Sequence, residues 1–241
     1  MPSLRVIGPG RAGGSLRAAL VGVGWRDAGA LGRFDDRSDA AQDVDLLVIA
    51  TPDATVAHVA AEVRPAAGTV VCHLAGSLGL EVLAPHPRRA ALHPLVAMPN
   101  AEVGAARLRS GAWFAIAGDP MVEQIVADLG GRSFRVADEH RSAYHAAAVI
   151  ASNHLVALLG QAERVARLAG VPLEAYLDLV RMTVDNVAEL GPAAALTGPA
   201  ARGDWATIHR HLAALPEDER ETYEVMVKAT RRLVDDSGAG A

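Results

Sequence analysis

Leu4-Arg5-Val6-Ile7-Gly8-Pro9-Gly10-Arg11-Ala12-Gly13-Gly14-Ser15-Leu16 decides the fold of this 241-residue chain. Arg5 to Ile7 closes a short apolar strand, and Ser15 to Val21 opens a helix. Between them Gly8, Gly10 and Gly13 fall in G-x-G-x-x-G register. Gly8 permits the tight turn out of the strand, Gly10 lets backbone approach a pyrophosphate, and Gly13 lets helix pack on sheet. The free N–H groups of the helix's first turn, at the positive end of its dipole, suit phosphates. A strand, a glycine loop and a helix in that order predict a dinucleotide site formed by Gly8, Pro9, Gly10, Arg11, Ala12 and Gly13.

Downstream the alternation of strand and helix continues. Phe34-Asp35-Asp36-Arg37-Ser38 falls where a second strand should end. An acidic residue there bonds ribose hydroxyls, whereas an arginine suits a 2′-phosphate. Arg37, followed by a small polar residue, favours NADP(H) over NAD(H), with Arg11 or Arg33 as helpers. Leu46 to Ala50 reads as a buried parallel strand. It releases Thr51-Pro52-Asp53 at its carboxyl end, where open α/β sheets bind ligands, and Asp53 or Thr55 would cap the next helix. Further strands are expected at Thr69–Leu74, Ala90–Leu92, Trp113–Ala117 and Ser133–Val136, with a helix from Pro120 to Leu129. Their ends set Thr51, His73, Ser77 and His93 along the rim of the glycine loop. Thr51 and Pro52 are expected at the cofactor, Ser77 at the substrate.

Beyond Val136 the period changes to that of helices. Glu139–Ala169 and Leu173–Leu190 read as two long helices, Asp204 as the N-cap of a third, and Pro216 as the start of a fourth. In that last helix Glu217, Asp218 and Glu219 stand at the start, Arg231 and Arg232 near the end. Residues 235–241 read as an unstructured tail. The expected class is therefore an α/β Rossmann-like parallel sheet over residues 1–136, followed by an all-α domain over 137–241.

Composition narrows the rest. The chain is 51% hydrophobic and 21% charged with a formal net charge of −5, so no basic face recruits nucleic acid or anionic lipid. Cys72 is the only cysteine, which excludes an intrachain disulfide and suits a reducing cytoplasm. No uninterrupted apolar stretch of about 18 residues or more exists, so no membrane span is expected. With one cysteine and no H-x-x-x-H or H-E-x-x-H pattern, no metal is expected.

Several words along the chain carry a family resemblance: Gly8-Pro9-Gly10-Arg11-Ala12-Gly13, His93-Pro94-Leu95, Tyr144-His145-Ala146-Ala147-Ala148 through Ser152-Asn153, and Leu196-Thr197-Gly198-Pro199 through Arg202-Gly203-Asp204. The chain resembles two-domain proteins with an N-terminal Rossmann-like domain and a C-terminal helical domain of unknown function. They lie in the superfamily of 6-phosphogluconate, β-hydroxyacid, pyrroline-5-carboxylate and ketopantoate reductases. The resemblance implies an NADP-linked oxidoreductase, and one branch is similar to an alternative ketopantoate reductase of pantothenate synthesis.

Hydride delivered to a carbonyl carbon leaves an alkoxide that needs a proton. Related reductases use a lysine on the first long helix of the second domain, with an asparagine one turn on. Here the only lysine is Lys228, in the last helix. The first helix offers His145, and at 100° per residue Ser152 lies about 20° and Asn153 about 80° from it. His145 is therefore the expected proton donor, with Asn153 beside it, Ser152 near the substrate, and His93 placing nicotinamide or carbonyl. Arg202 would fork onto a substrate carboxylate. His209 and His211, about 160° apart on one helix, cannot face one site. The expected reaction is NADP-dependent reduction of a small α-keto acid, ketopantoate first. The alternatives are a pyrroline-5-carboxylate-like imine reductase, a prephenate-like dehydrogenase, and a non-catalytic NADP-binding regulator. Its Ala-rich helices predict a homodimer.

Overall fold

A computed structural model describes residues 1–238. The chain divides into two compact units, Met1–Ser152 and Asn153–Ala241. In the first, strands β1 (Ser3–Ile7), β2 (Arg26–Leu31), β3 (Leu46–Ile49), β4 (Val70–His73), β5 (Arg88–Pro94), β6 (Trp113–Gly118) and β7 (Arg132–Arg135) form one sheet in the order β2-β1-β3-β4-β5-β6-β7. β1 to β5 run parallel, β6 is antiparallel to β5, and β7 is parallel to β6. Helices α1 (Arg11–Gly22), α2 (Val56–Glu62), α3 (Ala101–Leu108), α4 (Met121–Asp128) and α5 (Arg141–Val149) complete the unit.

Continuous apolar strands belong in a sheet covered on both faces, and period-2 alternation sorts them here into two cores. Leu4, Val6, Leu46, Val48, Val70, Cys72 and Phe114 pack with Leu16 and Leu20 of α1. Ile7, Leu47, Ile49 and Val71 pack with Val56, Val59 and Ala60 of α2 on the other side. The carboxyl ends of β1, β3, β4 and β5 share one edge.

Three local expectations are corrected. The second strand ends at Leu31, so Phe34–Ser38 lies in the turn beyond it. Neither Asp53 nor Thr55 caps α2 with its side chain; the Thr55 hydroxyl donates back to the Pro52 carbonyl at 2.8 Å. The run expected as one helix over 139–169 is α5, a π turn at Ile150–His154, and α6 (Leu155–Leu168). The first compact unit runs to Ser152 and so includes α5, whose Arg141 is fully buried.

The second unit holds α6, α7 (Glu174–Leu190), α8 (Pro199–Arg202), α9 (Trp205–Ala214) and α10 (Glu217–Gly238). Asp204 caps α9, accepting from Thr207 N at 3.1 Å. Glu217, Asp218 and Glu219 occupy the first turn of α10, where acidic groups complement the dipole. That helix continues through 235–238, part of the expected tail, so Arg231 and Arg232 are not in its last turn; 239–241 lie outside the described residues. Buried Glu219 pairs with the Arg164 guanidinium and accepts from Gln161 Nε2 at 2.9 Å through its carbonyl, tying α6 to α10. No residue of α7 is buried. Asp138–Leu168 is the one helical run among the described residues long and apolar enough, by length and composition, to cross a membrane. Tyr144, His145, Ser152 and Asn153 interrupt it, which is why a search for unbroken apolar stretches passes over it.

Candidate functional site

The glycine loop follows β1 in the expected way. Gly8 has φ +87, and a Cβ there would lie 2.8 Å from the Ala50 carbonyl oxygen; both the dihedral and the space demand glycine. A Cβ on Gly13 would strike the Gly8 carbonyl and lie 2.8 Å from Ala50 Cβ, so only glycine lets α1 sit this close to the loop. Gly10 is different. It is the extended N-cap of α1, no side chain caps the helix there, and a Cβ would meet nothing within 4 Å. Beside the loop, Thr51 Oγ1 is buried with no hydrogen-bond partner, and Pro52 follows it. An uncapped helix N-terminus over open space, with an orphaned hydroxyl beside it, fits the phosphates of a dinucleotide.

Arg37 does not extend towards such a ligand. Its Nη1 lies 2.5 Å from Glu62 Oε2, its Nη2 donates to the Gly32 and Arg33 carbonyls, and 13% of its side chain is exposed. The charge that sequence assigned to a 2′-phosphate is instead satisfied within the protein. Because β2 ends at Leu31, the exposed arginine immediately after it is Arg33, packed 5.9 Å from the ring centroid of an almost fully exposed Phe34.

Further along the edge, Ser77 Oγ donates to Asp53 Oδ2 at 2.9 Å. His73, the last residue of β4, is fully buried with Nε2 3.2 Å from the Gly79 carbonyl, and burial lowers its pKa. His93, next to last in β5, places Nδ1 2.6 Å from Tyr144 Oη of α5. Its ring stands edge-on to those of Tyr144 and His145, each 5.5 Å away. Gly76 lies between the two histidines: a Cβ there would collide with His145 Nδ1 and come 3.0 Å from His93 Nε2. His145 Nδ1 is buried without a hydrogen-bond partner. Burial, then the His145 and Arg141 charges, push the His93 pKa down to about 4, and burial pushes Tyr144 up to about 12. Arg141 donates through Nε to Asp138 Oδ1 at 3.3 Å, while Nη1 and Nη2 have no hydrogen-bond partner. Burial likewise pushes the Cys72 thiol up to about 12, leaving it an unreactive core group.

The structure therefore brings His93 and His145 together and adds Tyr144 and Arg141, which sequence reasoning missed. The signal was available: Tyr144 precedes His145 in the same word, and Arg141 stands one turn before it. Ser152 lies in the π turn with its hydroxyl on the Ala148 carbonyl at 2.7 Å. The 100° spacing that set it beside His145 fails there, since a π turn changes the angle per residue. Asn153 begins the second unit. Arg202 ends the short helix α8, not a loop, and is exposed near Asp204. Among the described residues no three His, Cys, Asp or Glu side chains gather into a metal-holding set.

Residues 33–99 match the model of a Rossmann-like domain, and residues 114–230 match that of a domain of unknown function, DUF2520. The two matches follow one another along the chain, in the order Rossmann-like and then DUF2520. The DUF2520 match takes in β6 from Phe114 on, β7 and α5, so it covers the histidine–tyrosine word as well as most of the helical unit. A protein from Bacteroides fragilis assigned as an NADP oxidoreductase has the same architecture, at 21% identity and TM-score 0.79, over 96% of this chain and 98% of that one. A Thermotoga maritima protein gives 23% identity and TM-score 0.74 over 97% and 99%. The reductive aminase of Aspergillus terreus, solved with NADPH and ethyl levulinate, gives 16% and 0.71 over 98% and 99%. These likenesses establish the fold. No curated protein matches the sequence.

Proposed function

We propose that this Rossmann–DUF2520 chain is an NADP-dependent oxidoreductase that reduces a small α-keto acid such as ketopantoate. One observation carries the reading: His93 and His145 converge on Gly76 at the sheet edge that also carries the glycine loop. Gly8 to Gly13 with Thr51 and Pro52 would hold the dinucleotide, and Arg33 replaces Arg37 as the group offered to a 2′-phosphate. The cofactor's chemistry is hydride transfer. The likeness to the reductive aminase solved with NADPH supports the NADP form.

The chain's own task is the oxygen of the carbonyl. Hydride added to carbon leaves negative charge there, and one proton must arrive for the hydroxy acid to form. His93 Nε2 is the group to hydrogen-bond that oxygen, and His145 the group to supply the proton. Ser77, pinned by Asp53, offers a polar contact on the same edge. Ser152, Asn153 and Arg202 remain candidates on their chemistry alone. A second reading, reduction of an imine, is favoured by the likeness to the reductive aminase.

Exposed Leu179, Met182, Val184, Val187 and Leu190 on α7 support a second copy of the chain as the partner that covers this helix. A buried thiol as the sole cysteine suits the cytoplasm. The test is NADPH oxidation with a panel of keto acids and imines. His145→Gln should lower kcat by about 10²–10⁴ while NADPH affinity holds; unchanged turnover would remove His145 from the chemistry.

A further inference from the structure

His93 can act as a hydrogen-bond donor only if its proton sits on the nitrogen turned towards Gly76, and Tyr144 decides that. Tyr144 Oη lies 2.6 Å from His93 Nδ1, and among the described residues it meets no other acceptor. A neutral imidazole has one N–H and one lone-pair nitrogen, and a phenol brings one proton of its own. If Nδ1 carried the hydrogen, the half-buried phenol proton would be left without an acceptor. With the phenol donating, Nδ1 accepts and the ring's hydrogen moves to Nε2. We propose that Tyr144 is a positioning residue that holds His93 as the neutral Nε2–H tautomer, so that Nε2 presents a fixed donor beside Gly76 and His145 to an acceptor oxygen of the ligand.

The surroundings keep that ring neutral. Arg141 and His145 of α5 and His73 of β4 all disfavour a charge on it, and Asp53, after β3, is the charged group that favours one. Arg141 is fully buried and permanently cationic, so its influence does not fade with pH. Tyr144 is itself held edge-on by Phe134 of β7, ring centroids 5.7 Å apart. A neutral imidazole donor polarises a carbonyl without giving up its hydrogen, which leaves proton supply to His145. The face formed this way suits a carbonyl or carboxylate oxygen and not a cation. Only the kinetic part of this inference rests on the reductase reading; the tautomer stands apart from it.

The test is long-range ¹H–¹⁵N correlation of the histidine rings in the full chain, with His93 assigned from its own backbone. Wild type should show a protonated Nε2 and an unprotonated Nδ1 at neutral pH. Tyr144→Phe should turn this into a mixture of tautomers and raise the pH at which His93 titrates, because a bond that favours the neutral form is gone. A wild-type Nδ1–H pattern, or a Tyr144→Phe spectrum equal to wild type, overturns the proposal; if Tyr144→Phe does not fold, the wild-type spectrum decides alone. With an active keto acid, Tyr144→Phe should cut kcat by about 10² and leave NADPH affinity unchanged. Unaltered kcat overturns the role of the tautomer in turnover. No turnover by wild type removes the reductase reading and leaves the tautomer to the spectrum.

Discussion

At the scale of single residues, burial and fixed charge set the site's chemistry more than residue type does. His93 and His73 are held neutral by burial, against an ordinary histidine pKa of 6.5. The sign of the linked stability follows. The unfolded chain takes up a proton on His93 near pH 6.5, and the folded one takes it up only near 4. Stability contributed by a neutral native histidine is therefore complete above 6.5 and is lost as pH falls towards 4. Each unit is worth about 1.4 kcal/mol, so His93 accounts for at most about 3.5 kcal/mol. Urea unfolding between pH 7 and 4 should show this loss, and His93→Gln should flatten it. A wild-type profile level over that range would mean that the ring protonates freely in the fold. Residue roles were the least legible part of the sequence. Arg37 falls where a 2′-phosphate contact is expected, and nothing local reveals that Glu62, 25 positions on, bonds its guanidinium. Tyr144 stands in the same word as His145, but its partner His93 is 51 positions away and no local pattern joins the two.

At the scale of elements, the glycine loop was legible in full, since its requirements are local: a positive φ at Gly8, contact at Gly13, openness at Gly10. These differences separate fold from binding. Gly13→Ala forces a methyl group against the Gly8 carbonyl and should cost on the order of 1–3 kcal/mol of stability, as overpacking does. Gly10→Ala meets nothing in the protein and should leave the melting temperature within a degree or two, the small effect of a surface change. It should still weaken NADPH binding by about tenfold or more, since the backbone can no longer approach the phosphates. A Gly10→Ala protein that binds NADPH as wild type does would place the phosphates elsewhere. The β3 to β5 strands were legible from their continuous apolar runs. The strand β6 was legible as well, but its antiparallel direction was not, because strand direction leaves no mark on hydrophobic pattern. The π turn at Ile150–His154 was hidden too, as one extra residue in a turn leaves a long alanine-rich helix looking regular.

At the scale of the whole chain, two classes of segment, strand–helix alternation and then helices alone, announced the two units. The first compact unit runs 16 residues past 136, to Ser152, because a change of period marks where helices start and not which core they join. Arg141, buried with the sheet, shows which one α5 joined. The helical unit keeps few apolar side chains inside: Ala166, Ala200, Ile208 and Leu215. That economy is what a second copy would explain, and sedimentation equilibrium should return twice the 25.0 kDa chain mass; a monomer across micromolar concentrations would contradict it. The central claim is hydride transfer to a keto acid. NADPH deuterated at the transferable position, incubated with the chain and ketopantoate, should yield a hydroxy acid carrying one deuterium at the former carbonyl carbon. Oxidation of NADPH without deuterium in the product, or no product with ketopantoate or any other α-keto acid in the panel, would contradict the account.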